Sequence, residues 1–267
     1  MMLLRFILTA WCAICASVAT AHEFWIDAEN YQVPPGAQIV ANLKNGQIFE
    51  GTTLSYMTRS FTRFDLVQGD TVIPVEGRMG DRPALNVAAP MQGLISVVHE
   101  TTPSFVNYKE WEKFLSFAAH KDFPDIAARH AAYGFPDVPF KERYTRHAKS
   151  LIAVGDGAGA DSATGLKTEF VALSNPYEPT FDGGMRVQVL YLGAPRADAQ
   201  VEVFDRPPSG DVVVTLHRTN GDGVATIPVA PGHTYLFDAV VLEPILNDDT
   251  AVWDTFWAAL TFAVPLR

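Results

Sequence analysis

Cysteine is nearly missing from this chain. Its two cysteines, Cys12 and Cys15, both fall within the first 21 residues. The remainder therefore has no disulfide staple, no thiol nucleophile and no thiolate metal ligand. An electron-transfer blue-copper centre, which is built on a cysteine, is excluded. Positive charge is also scarce, with 20 Lys and Arg against 30 Asp and Glu and a net charge of −10. Such a chain repels nucleic acid and anionic membrane surfaces and is compatible with cations. After residue 21 no apolar run approaches the ~20 residues of a membrane span, so none is expected. The G-x-S-x-G elbow, the phosphate-binding glycine loop, the G-x-G-x-x-G fingerprint and H-E-x-x-H are absent too. These absences point away from an enzyme.

The first 21 residues read as a secretory signal peptide. Arg5 gives the positive n-region, Phe6 to Val18 the apolar h-region, and Ala19-Thr20-Ala21 the small-x-small cleavage pattern. A periplasmic protein is the expectation, with no membrane span in the mature chain. Cleavage after Ala21 makes His22 the first residue. Its free amine, of pKa roughly 7.7–8.0, and its ring Nδ1 can then chelate one metal, as in a histidine brace. Cleavage after Ala19 exposes Thr20-Ala21-His22 instead. There an amine, two backbone amides and an imidazole offer a square plane of nitrogens, which suits Cu(II) or Ni(II). Both outcomes make His22 a metal ligand.

The rest is read as all-β, two β-sandwich domains with a small helical insertion in the first. Short runs rich in Val, Ile, Phe and Tyr recur between Gly, Pro, Asn and Asp, as in Ala37–Leu43, Leu94–Thr101, Tyr144–Val154 and Thr234–Leu242. The insertion covers about 108–133, where Trp111, Leu115 and Ala118 repeat at helical spacing. Residues 22–154 form the N-terminal sandwich, "GDGAGADSATG" at 155–165 a flexible linker, and 166–267 the C-terminal sandwich. "VWDTFWAALTF" fits a helical turn leading into a final strand. Asn220-Gly221-Asp222-Gly223 is expected to turn a hairpin.

A brace needs another imidazole or carboxylate. His99, ending "GLISVVHE" on the face of Ile95 and Val97, is the candidate second ligand. His147 shares a face with Thr145 and Lys149 and reads as solvent-facing. His120 and His130 lack the i, i+4 spacing of a paired site. Trp25, Trp253 and Trp257 are candidates for stacking on sugar rings.

"AHEFWIDAENYQVPPGAQI", "TTPSFVNY", "ERYTRHAKSLIAVG" and "VWDTFWAALTF" together resemble the exported NikM-like family of periplasmic proteins, labelled as the substrate-specific component of nickel or cobalt uptake. "YLGAPRADAQVEVFDR" with "HRTNGDGVATIPV" is similar to transthyretin-like or carboxypeptidase-regulatory-like sandwiches. The first resemblance implies handling of a divalent transition metal (Ni, Co or Cu), with the metal ion and a membrane transporter as partners. Two other readings stand beside it. One is a non-catalytic envelope adhesion or carbohydrate-binding module. The other is a copper oxidase of the histidine-brace type.

Overall fold

A computed structural model describes residues 22–266; the expected signal peptide lies outside them. The first half carries β1 (Glu23–Ala28), β2 (Gln32–Val33), β3 (Gln38–Gln47), β4 (Glu50–Leu54), β5 (Phe61–Gln68), β6 (Thr71–Pro74), β7 (Leu85–Ala88), β8 (Gly93–Thr101) and β9 (Ser104–Tyr108). Helices α1 (Trp111–His120) and α2 (Ile126–Ala132) precede the long β10 (Phe140–Val154). Then follow β11 (Thr168–Ala172), β12 (Gly184–Tyr191), β13 (Ala194–Pro195), β14 (Gln200–Arg206), β15 (Val213–Arg218), β16 (Val224–Pro228), β17 (Thr234–Pro244) and β18 (Trp253–Ala263).

The fold is all-β and of sandwich type, with the helical insertion between β9 and β10. Its centre is a ten-stranded sheet in the order β15-β14-β17-β18-β10-β8-β5-β6, with β2 and β9 also paired to β10. A sheet of β1, β3, β4 and β7 covers one face, and a sheet of β11, β12, β13 and β16 lies on the other. The two sandwiches thus share their middle layer. β10 and β18 join them in parallel, from Glu142 beside Trp253 to Ser150 beside Thr261. One hydrophobic core runs through all three layers, from Ile26 and Ile39 through Leu260 to Met185 and Val187.

Side-chain size decides what each face accepts. Ala148, Ser150, Ala259 and Thr261 share one face of β10 and β18. They are small, so β1 can lie close above, and Thr261 Oγ1 donates to the Ile26 carbonyl at 2.7 Å. Phe237, Leu260 and Phe262 fill the opposite face, where Phe237 meets Phe170 of β11 with ring centres 6.3 Å apart.

Three expectations are corrected. The stretch 155–165 connects the halves but is tied down, because Asp161 accepts from Ser96, Lys149 and the Ala172 amide. "VWDTFWAALTF" is strand from Trp253 onward, as β18, with no helical turn ahead of it. Both faces of β18 are covered, so it lacks the polar alternation that marks a half-buried strand. Asn220 does turn the chain, its Oδ1 accepting from the Asp222 and Val224 amides. The flanking strands part, however: β15 pairs with β14, and β16 with β12. Among the described residues no helix is long and apolar enough to cross a membrane.

The insertion completes the layer begun by β1. Phe114, Phe117 and Ala118 of α1 are buried against Trp253, Trp257, Val240 and Leu242 of the central sheet. Leu115, expected on that stripe, is only partly buried. A seam is left where the β1 layer ends and the helices begin.

Candidate functional site

Strand alternation supplies the floor of this seam. Glu142, Tyr144 and Arg146 occupy every second position of β10 and so point to one face. Arg146 lies directly beside Trp257 of β18. Over them opens a cleft of about 400 Å³, bounded by α1 at Phe117, by β9 at Tyr108, and by His22. His22 is exposed and also borders a second cleft, formed with the β3–β4 turn and Arg206. It therefore stands on the ridge between two openings.

The chain leading on from His22 is held at two points. Arg146 Nη2 donates to the His22 carbonyl at 2.8 Å. The same guanidinium sits 4.4 Å above the Tyr144 ring and 5.7 Å from that of Trp257. The next residue, Glu23, is buried and accepts from Lys121 Nζ at 3.2 Å. Near the pivot, Gly46 pairs with Glu23 and faces Gly51 across the β3–β4 hairpin. A Cβ on Gly46 would collide with the backbone of Glu50 and Gly51, so the hairpin closes only with glycine there.

Lys121 ends α1 among three carboxylates. Its Nζ also donates to Glu202 at 2.6 Å and Asp238 at 3.0 Å. His120 Nε2 bonds the other oxygen of Glu202 at 3.0 Å. Burial pushes Glu23 up to about 7, with Asp238 and Glu202 adding to the rise against the pull of Lys121. Burial raises Asp238 as well. For Lys121 burial alone would lower the pKa, but the three carboxylates hold it above its ordinary value. Burial would raise Glu202, yet the bonds from His120 and Lys121 keep it low. Among the described residues, Glu23, Glu202 and Asp238 are the one group of three metal-type ligands that converge. The ammonium of Lys121 already occupies their centre, so this group does not fit a metal.

Deeper in the cleft, Glu142 is 2% exposed. Tyr108 donates to its Oε2 at 3.0 Å and Thr255 to its Oε1. Burial pushes this carboxyl up to about 7.

His99 lies elsewhere. It stands opposite Phe64 on β8 and β5, its ring within 5.0–5.4 Å of Phe24, Phe61 and Phe64. Among the described residues neither ring nitrogen has a hydrogen-bond partner, and burial draws its pKa down to about 3. It lines neither cleft that His22 borders. The expected pairing of His22 and His99 is not brought together in either opening, because aromatic side chains of β1 and β5 enclose the His99 ring. His130 is a satisfied core residue, accepting from Trp253 Nε1 at 3.0 Å. His147, expected at the surface, is buried with Nδ1 3.1 Å from the Trp257 carbonyl. Lys149 beside it is buried too, since the β11–β12 layer and residues 155–165 cover that face.

The DUF4198 family, described as a domain of unknown function, matches residues 19–243. The chain belongs to this family. No curated protein matches it. Among solved structures it is similar to the D0-D1 domain of Intimin, at 13% identity and TM-score 0.23, over 90% of this chain and 97% of that one. It is also similar to a tetra-tandem repeat in the extending region of a large adhesion protein, at 14% identity and TM-score 0.21, over 90% of this chain. The alignment spans 49% of that second protein. Likenesses this low carry no argument about function.

The DUF4198 match includes His22, Glu23, Lys121, Glu142, Arg146 and Glu202 but stops before Trp257. Of these only His22 stands out in the sequence, through the cleavage pattern before it. Glu142 and Arg146 lie in the polar run from Lys141 to His147 and so resemble part of a solvated strand; the helices beside them come from a separate stretch of chain.

Proposed function

We propose that this chain is an exported periplasmic protein that binds a divalent transition metal (Ni, Co or Cu) at His22 and passes it to a membrane transporter, without catalysis. One observation carries the reading. His22 is exposed on the ridge between two clefts, with Arg146 and Lys121 fixing the backbone on its far side. A mature chain beginning there would present amine and imidazole from a rigid base, and preorganised ligands lose less entropy on binding. The resemblance to the NikM-like family and the acidic surface support the same reading. The carbohydrate-binding alternative draws less support. Trp25 and Trp253 are 0% exposed and have no face to offer a sugar.

The test is calorimetric titration with Cu(II) and Ni(II) of three forms: one starting at His22, one with an extra N-terminal Gly, and one carrying His22→Ala. The first should show one dominant site. The other two should bind at least about tenfold more weakly, roughly 1.4 kcal/mol, since each loses one of two chelating groups. Binding should weaken as pH falls, because both ligands must shed protons. Equal affinity in all three forms would remove His22 from the site.

A further inference from the structure

We propose that the cleft beside His22 binds a small hydroxylated polycarboxylate. Its charge is the first ground. Lys109, Lys113 and Arg146 line it, against the acids Glu110 and Glu142. Glu110 is spent on Lys113 at 2.8 Å. Glu142 is buried under the hydroxyls of Tyr108 and Thr255, and burial favours its neutral acid form. Two cations, Lys109 and Arg146, are left without a compensating carboxylate within this opening, in a chain that is otherwise strongly acidic.

Orphaned polar atoms are the second ground. Among the described residues, Arg146 Nε and Trp257 Nε1 are buried donors without a partner, and Asn45 Oδ1 is a buried acceptor without one. All three belong to residues lining the cleft. A buried donor or acceptor left unmade costs about 1–3 kcal/mol, so such atoms are seldom gathered at one opening without use. A carboxylate answers Arg146 and Trp257, a second answers Lys109, and a hydroxyl answers Asn45. The volume of about 400 Å³ falls within the ordinary range for small-molecule sites. This site needs no metal at His22, so the two proposals stand or fall separately.

Citrate is the probe, with tricarballylate, which has the same three carboxylates and no hydroxyl, as its control. Calorimetry is run on metal-free protein starting at His22. Citrate should bind one to one, and tricarballylate at least about tenfold more weakly, because it leaves Asn45 unpaired. Arg146→Gln should weaken citrate at least about tenfold. Lys113→Glu, at an exposed position of α1, should weaken it several-fold and decides the matter if Arg146→Gln does not fold. The proposal is overturned if citrate gives no saturable heat up to about 10 mM, if tricarballylate binds equally well, or if the folded variants bind citrate as the parent does.

Discussion

Two lysines lie buried on opposite faces of the central sheet, and their surroundings differ in one respect. Lys149 meets Asp161 at 2.8 Å and Glu169 at 3.6 Å, and neutral donors complete both acids. Ser96 and the Ala172 amide serve Asp161, while Thr164 and the Gly165 amide serve Glu169. Lys121 meets three acids, and among the described residues only Glu202 has a second side-chain hydrogen-bond partner, His120. Asp238 Oδ1 has no hydrogen-bond partner among the described residues. The satisfied cluster pins residues 155–165 to the sheet. The crowded one lies behind His22 and gathers three acids around one ammonium. A buried ion pair thus reveals its role through how completely its acids are bonded rather than through its presence.

The largest effects should come from the lysines themselves. Lys121→Met should cost about 4 kcal/mol in urea denaturation at pH 7, since it strands three acids with few other donors. Lys149→Met should cost about half as much, because backbone and hydroxyl donors remain. An equal or larger loss at Lys149 would break the comparison.

Glu142 extends it to an acid with no ion pair. Its folded pKa of about 7 lies above the ordinary 4.5, so the folded state holds a proton that the unfolded chain has lost. Stability should therefore fall as pH rises from 4.5 to 7, by about 3 kcal/mol. Glu142→Gln should flatten that slope. His99 works in the other direction. Its folded pKa of about 3 lies below 6.5, so stability is lost as pH falls below 6.5, by about 2 kcal/mol at pH 5. His99→Leu should remove that acid loss, read by thermal melts across pH.

Single neutralisations give the smallest and sharpest contrast. Asp161→Asn should cost about 2 kcal/mol, because it breaks an ion pair whose acid was fully bonded. Asp238→Asn should change stability by no more than about 0.5 kcal/mol, since it relieves an excess of charge. Chemical denaturation of the two variants side by side reads the difference.

Much of the fold was legible because short apolar or alternating runs between turn residues announce strands. β3, β8 and β17 alternate or run apolar between turn residues, and the sequence places each of them. Sheet partners were not legible. β10 and β18 are covered on both faces, so neither hints that Arg146 lies beside Trp257. Lys149 and His147 show the same limit: on a strand, a charged residue with a buried partner reads as a solvated one. The cleft was hidden for that reason, while His22 was visible through the cleavage chemistry ahead of it.

Native mass spectrometry of the exported protein, after growth with added nickel or copper, tests the central claim most directly. It reads the first residue and the bound metal together. The account predicts a chain beginning at His22 that retains one metal ion, and loss of that ion in His22→Ala. A chain beginning elsewhere, or the same metal retained by His22→Ala, would contradict it.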